Sequence, residues 1–339
     1  FINMKKLINC LTKKDTTCFP IWFMRQAGRY LPEFRDIRSK NPNFMKLCLD
    51  SDLSSKITLQ PIERFNIDAA IIFSDILVVP YALGQEVNFK KNEGPELSAF
   101  NFNIFINNKE EDFILKLQPV YDAIKKTKNK LNKNHTLISF IGAPWTLLIY
   151  MFGMKESKTK LNLENIKKNE LNKKAILDEL NRYLCLHIKK QHEAGAEVIQ
   201  IFDSWAGLIP QNEIYDYCYR PNLRLVEFCK KIGIPVICFP KGLGEKYKEF
   251  LEIVKPDGLN IDYDINPIWA KKNLKGVCLQ GGLDPKILLG NEETLFKEID
   301  KYLNIFNDSP YIFNLGHGLL PETNPDTLAK VIKRVNLFK

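Results

Sequence analysis

Several residues able to bind or transfer charge stand just beyond short apolar runs. Arg25, Gln26 and Arg29 follow the run 19–24, and Ser74 and Asp75 follow 69–73. Gly142, Ala143, Pro144 and Trp145, with Tyr150 further on, follow 136–141; Asp203, Ser204 and Trp205 follow 198–202. Lys241 and Gly242 lie after 235–239, Gly281, Gly282, Leu283 and Asp284 after 276–279, and Gly316, His317 and Gly318 after 311–315. The set is rich in cations and hydroxyls, with one histidine and no clustered thiols. Arginine presents a fixed fork of donors to a carboxylate, so such a set suits a substrate that carries several acids.

Each residue also has a plainer reading. Arg25 and Arg29 could be helix-surface charges paired with Glu33, and Asp75 could cap the next helix. His317, between two glycines, could be a turn residue. Ser204 beside Asp203 hints at nucleophilic catalysis, but no G-x-S-x-G elbow surrounds it. His187 and His192, five apart, do not share a helix face as a metal pair would, and read as surface residues. Trp22 and Trp145 read as core packing.

The elements that must hold these groups are eight apolar, β-branched or aromatic runs: 19–24, 69–73, 136–141, 198–202, 235–239, 258–261, 276–279 and 311–315. Between them lie stretches of helical periodicity. The clearest is 171–194, with Ala175, Leu180, Leu184 and Ile188 near one face and Gly195 as its stop; 245–255, 293–306 and 324–338 are shorter. Asn324 before Pro325 makes an N-cap and first-turn pair. Strands that are apolar throughout and alternate with helices point to a covered parallel sheet, and eight is the number that closes a (β/α)8 TIM barrel. An open doubly wound sheet would need a glycine-rich loop after the first strand, where only Gly28 is found. Two segments break the alternation: 78–90 reads as a hairpin-like excursion, and 151–172 as a lysine-rich, mobile surface insertion. No linker appears, so a single domain is expected, over 4–339 if Met4 is the start.

The chain has 339 residues, 45% hydrophobic, and a net charge of +9. Its lysines are scattered among asparagines with no nucleic-acid motif, which argues for a solvated surface and against a nucleic-acid partner. No run of eighteen uncharged apolar residues exists, so no membrane-spanning helix is expected. The first fourteen residues lack the apolar stretch of a secretory signal. The eight cysteines form no CxxC pair and are expected to be reduced, buried thiols. Together these features predict a soluble cytoplasmic protein.

Pro20-Ile21-Trp22-Phe23-Met24-Arg25-Gln26-Ala27-Gly28-Arg29-Tyr30-Leu31-Pro32-Glu33-Phe34-Arg35 resembles the N-terminal signature of the uroporphyrinogen decarboxylases. Ile138-Ser139-Phe140-Ile141-Gly142-Ala143-Pro144-Trp145-Thr146-Leu147 is similar to their second signature. Ala70-Ile71-Ile72-Phe73-Ser74-Asp75-Ile76-Leu77 and Phe313-Asn314-Leu315-Gly316-His317-Gly318 match two further blocks, in the family's order. The resemblance implies a (β/α)8 barrel, a homodimer, and a role in haem and related tetrapyrrole synthesis. It also implies that uroporphyrinogen III loses carbon dioxide from four acetate side chains to give coproporphyrinogen III, with neither cofactor nor metal. By position it gives substrate-binding roles to Arg25, Gln26, Ala27, Gly28, Arg29, Arg38, Asp75, Tyr150, Ser204 and His317, with Asp75 and Arg25 catalytic. Arg38 lies outside the strong signature, and Trp205 stands where the family varies. The general acid is not assigned by this reading. A rival, a zinc-dependent corrinoid methyltransferase on a related barrel, needs His-x-Cys, whereas His317 is followed by Gly318 and Leu319.

Overall fold

Seven of the eight apolar runs become parallel strands in the computed structural model, which describes residues 5–90 and 93–339. The strands are β1 (Ala69–Ile71), β2 (Val87–Lys90), β3 (Gly94–Leu97), β4 (Thr136–Gly142), β5 (Val198–Asp203), β6 (Val236–Pro240), β7 (Gly258–Ile261), β8 (Cys278–Gly281) and β9 (Tyr311–Ile312). All but the β2–β3 hairpin pair side by side in the order β1-β4-β5-β6-β7-β8-β9, and helices separate most of them along the chain. This is a single-domain α/β fold with a curled parallel sheet.

The first run, 19–24, pairs only at Ile21, yet it joins the two edges of the sheet. The Trp22 N–H donates to the Phe313 carbonyl (3.3 Å), and the Phe313 N–H donates to the Pro20 carbonyl (2.8 Å). On the other side the Asp68 N–H donates to the Ile21 carbonyl (2.8 Å). The ladder goes no further because side chains take the remaining donors. Ile21 N–H donates to Asp68 Oδ2, Phe23 N–H to Gln26 Oε1 and Met24 N–H to Asn314 Oδ1. Those bonds satisfy the backbone without a partner strand.

The helix Lys6–Lys13 seals one end of the ring. Its Leu7, Cys10 and Leu11 pack on Trp22, Ile71, Ile138, Val198, Ile237, Cys278 and Ile312, which line the interior. Lys5 and Lys6 pair with Glu197 and Asp68, just ahead of β5 and β1, so this is the end where the strands begin. A polar layer lies above that plug. Trp22 Nε1 donates to Gln280 Oε1 (2.8 Å), and Gln280 Nε2 donates to Asn260 Oδ1 (2.9 Å). The opposite end, where the strands finish, is left for chemistry.

The outer helices fall close to expectation: Lys173–Ala194 stops at Gly195, whose φ of 125° favours glycine, and Asn324 caps Pro325–Asn336 through the Asp326 N–H. His187, however, is not a surface residue. It is 2% exposed, packs against Phe113 and bonds Tyr121 through Nδ1 at 2.9 Å. Its place seven residues after Leu180 and three after Leu184 puts it on the buried stripe of its helix.

The excursion at 78–90 is also displaced from expectation. Its start is the helix Val78–Ala82, buried through Val78, Val79, Pro80 and Ala82, and the hairpin runs from β2 to β3. The 151–172 insertion holds a small antiparallel bridge, Lys155 to Leu161, and the short helix Glu164–Lys168. Among the described residues all eight cysteines are free and six are buried, and Trp22 and Trp145 are core residues. No helix among those residues is long and apolar enough to cross a membrane.

Candidate active site

The loop after Ile21 carries Arg25 and Arg29 on a brace of backbone contacts. Gln26 is 1% exposed, and its Nε2 donates to the Ala69 carbonyl (2.9 Å) while Oε1 receives the Phe23 N–H (3.0 Å). Its amide is therefore spent on tying the loop to β1. Gly28 lies so close to the Arg25 carbonyl that a Cβ would sit 2.7 Å from that oxygen. Ala27 packs on the core edge. Arg35 Nη1 donates to the Arg29 and Tyr30 carbonyls (2.9 and 3.1 Å). Arg25 itself has φ 62°, a left-handed conformation that costs a non-glycine residue about 1–2 kcal/mol.

The surface-charge reading of these arginines fails on geometry. Glu33 makes its two-pronged pair with Arg64, at 2.8 Å on both oxygens. Among the described residues neither Arg25 nor Arg29 pairs with an acid within 4 Å. Both residues open to solvent at the mouth, but the Arg25 side chain packs against Gly318 deeply enough for burial to lower its pKa.

Asp75 reaches the same mouth from β1. The Phe73 N–H donates to Thr58 Oγ1 (2.8 Å), and Ser54 Oγ donates to the Phe73 carbonyl (2.6 Å). Hydroxyls of the helix Ser51–Arg64 thus end the strand and turn the chain. Asp75 Oδ1 then accepts the Leu77 N–H at 2.8 Å, closing a turn just ahead of the helix Val78–Ala82, whose own N-cap, Leu77, has no side-chain bond. Asp75 shapes the approach to the helix and does not cap it. Burial pushes the carboxyl up to about 6, against the opposing pull of that N–H and of Arg25.

Tyr150, Ser204 and Trp205 are set by a buried carboxylate. Thr146 Oγ1 donates to Asp203 Oδ1 (2.7 Å) and Asn222 Nδ2 donates to Oδ2 (3.2 Å). Burial raises Asp203 to about 6, with these donors opposing it. The Trp205 N–H donates to Thr146 Oγ1 (3.3 Å), and Trp145 Nε1 donates to the Trp205 carbonyl (2.9 Å). Ser204 is half-buried between these two pinned neighbours. Trp205 Nε1 in turn donates to the Tyr150 hydroxyl (3.2 Å), edge-on at 6.5 Å between rings. Burial raises the Tyr150 phenol, as does Asp75, while the Trp205 donor and Arg25 lower it.

His317 enters beyond β9. Burial first, then the cations Lys241, Arg25 and Lys158, depress it to about 4, so it is neutral at physiological pH. A Cβ on the neighbouring Gly318 would lie 2.5 Å from Arg25 Cδ and 2.7 Å from Cγ, so this glycine makes room for the arginine. Arg38, half-buried on the helix Pro32–Lys40, lies over the Phe44 ring at 5.4 Å and donates to the Asn41 carbonyl. Phe44 touches Phe73, two residues before Asp75. Arg25, Asp75, Tyr150 and His317 thus share one electrostatic neighbourhood, while Arg38 stands behind it.

A family model, uroporphyrinogen decarboxylase (URO-D), matches residues 3–338. The chain belongs to the uroporphyrinogen decarboxylase family. It is 40% identical over 327 residues to "Uroporphyrinogen decarboxylase" of Rickettsia bellii, covering 94% of this chain and 95% of that one. It is 40% identical over 342 residues to the Rickettsia canadensis protein of the same name, covering 99% and 100%. A solved "methyltransferase from Methanosarcina mazei" superposes with a TM-score of 0.79 over 98% of this chain and 97% of that chain. Its identity is 18%, so it speaks for the fold alone. The sequence places Asp203 after a strand but does not show its use: a buried carboxylate held by Thr146 and Asn222 that fixes the turn carrying Trp205.

Proposed function

We propose that this chain is a cofactor-free carboxy-lyase that removes carbon dioxide from the four acetate side chains of uroporphyrinogen III, giving coproporphyrinogen III. The observation that carries this is the family match over residues 3–338. The charge arrangement agrees with it: Asp75, its carboxyl raised by burial, stands among cations that have no acid within 4 Å among the described residues.

Decarboxylation of an acetate leaves an electron pair that needs a sink. Protonation of the pyrrole at the ring carbon next to the acetate-bearing one makes an iminium-like cation. The C–CO2 bond then breaks, its electrons neutralise the ring, and an exocyclic methylene forms. A second proton adds to that methylene as the ring carbon gives the first one back. The balance is one acetate and one proton in, one methyl group and one carbon dioxide out.

In this reading Asp75, ionised above pH 6, accepts hydrogen bonds from the pyrrole N–H groups and stabilises the cation. Turning the macrocycle by quarters presents each acetate in turn. Arg25, Arg29 and Arg38 hold peripheral carboxylates, with Arg25 closest to the reacting ring. Tyr150, Ser204 and the neutral His317 give directional hydrogen bonds; Gln26, Ala27 and Gly28 shape the loop beneath them. This reading carries with it a single catalytic domain acting in the cytoplasm as a homodimer, with no nucleic-acid partner.

The test is anaerobic turnover of uroporphyrinogen III by purified protein with nothing added, following coproporphyrinogen by chromatography. Stoichiometric product is expected; folded protein that forms none overturns the reading.

A further inference from the structure

Arg25 and Arg29 occupy one side of the mouth, and a second set of cations faces them. The ring of strands runs from the Ile21 segment through β1, β4, β5, β6, β7, β8 and β9 and back. The end of β6, which carries Lys241, is therefore opposite Arg25. The turn that carries Trp205 follows β5, the neighbour of β6. Above it stands a hairpin from the 151–172 insertion, held by the Lys155–Leu161 bridge and by the Asn162 N–H donating to the Met154 carbonyl (2.7 Å). Lys155 Nζ lies 5.6 Å from the Trp205 ring centre, and Trp205 donates to the Tyr150 hydroxyl. Lys158, at the hairpin tip, is near enough to His317 to act on it alongside Lys241 and Arg25.

The pairing of the hairpin's charges separates these lysines from ordinary surface charge. Lys160 pairs with Glu156 at 2.7 Å. Among the described residues Lys155, Lys158 and Lys241 have no acid within 4 Å, and Arg25 and Arg29 have none either. Cations that converge without counter-charge repel one another, and a polyanion relieves that repulsion.

We propose that Lys155, Lys158 and Lys241 form a second carboxylate clamp, which holds the side of the macrocycle away from Arg25 and Arg29. It rests on the decarboxylase reading above and adds how the far half of the substrate is gripped. A substrate bearing eight carboxylates fills both clamps in every quarter-turn. An intermediate that has lost three acetates leaves positions on the rim unfilled, so the hairpin favours the early substrate over the late one.

The test compares wild type with K155M/K158M, an exposed double change that leaves the barrel core untouched. KM for uroporphyrinogen should rise about tenfold, equivalent to ~1.4 kcal/mol, with the loss falling on KM rather than kcat. KM for the five-carboxylate intermediate should rise less, and K155R/K158R should restore both. K297M/K301M, which removes two lysines paired with Glu293 and Glu298 on the outer helix Glu292–Ile305, controls for the same loss of net charge. An unchanged KM in K155M/K158M, or an equal rise in K297M/K301M, overturns the clamp while leaving the decarboxylase reading intact. A wild-type protein that makes no product overturns that reading, and the clamp with it.

Discussion

Replacing Asp75 with asparagine separates its charge from its shape. The amide oxygen still accepts the Leu77 N–H that Asp75 Oδ1 accepts at 2.8 Å, so the turn into the helix Val78–Ala82 persists. The lost charge is a different matter. A carboxylate ~4 Å from a unit positive charge is worth about 4 kcal/mol at an effective dielectric near 20. Only the part that grows as the pyrrole becomes cationic accelerates the reaction, about 10²- to 10³-fold.

The free protein should respond in the opposite sense. Burial raises Asp75 to about 6, above its unfolded value, so ionisation opposes folding. This group's contribution to stability is highest below pH 4 and is lost as pH rises through 6, costing roughly 3 kcal/mol at neutral pH. D75N should thus lose about two to three orders of magnitude in kcat while its substrate-free Tm at pH 7.5 rises. Anaerobic turnover and thermal unfolding of one preparation read both quantities. Near-normal turnover refutes the stabilising anion, and a lowered Tm refutes the claim that the charge is carried at the fold's expense.

Further consequences follow from neighbouring groups. The acid limb of kcat/KM should fall as pH drops through about 6, with Asp75 and Asp203 both raised into that range; the limb should survive in D203N and vanish in D75N, read from pH profiles of the residual rates. Gly318→Ala places a Cβ against the Arg25 side chain, so KM for uroporphyrinogen should rise several-fold with Tm little changed; an unchanged KM would separate Gly318 from the clamp. His187 is depressed to about 3 by burial, so its contribution to stability is present above pH 6.5 and lost as pH falls towards 3. His187→Phe should cost about 1–3 kcal/mol at pH 8 by orphaning the Tyr121 hydroxyl, and should flatten the acid limb of urea-unfolding stability between those limits.

The parts of the fold legible in the sequence are those decided locally. β4, β5, β6 and β7 fall almost residue for residue on apolar β-branched runs, because a strand covered on both faces needs no alternation. The segment at Ile21 was legible as a strand but not in how it ends. Its donors go to Gln26 nearby and to Asp68 and Asn314 far along the chain, contacts that no local pattern carries. His187 was misread for a different reason: its spacing from His192 says nothing of the stripe it shares with Leu180 and Leu184. At the site, Arg25, Asp75, Tyr150 and His317 were found by position after strands. The clamp role proposed for the insertion's Lys155 and Lys158 is not legible there, because a lysine-rich stretch looks the same whether it faces bulk water or bends back over a mouth.

The substrate-free site is uncomfortable in three ways that one kind of ligand relieves. Arg25 holds a left-handed backbone, and burial and Arg29 both weaken its hold on its proton. Asp75 is raised towards neutrality by burial. The rim lysines lack acids among the described residues. A ligand that was merely anionic would settle the arginines and lysines but repel Asp75; a merely cationic one would do the reverse. A macrocycle with carboxylates at its edge and N–H donors at its centre satisfies both at once. That division also explains why the clamps and the chemistry must sit on different residues. Rim charges gain the same from substrate and transition state, because the peripheral acids not reacting are unchanged, so their energy appears in KM. In the proposed reading only the group facing the ring sees charge develop, so there Asp75 alone converts its discomfort into rate.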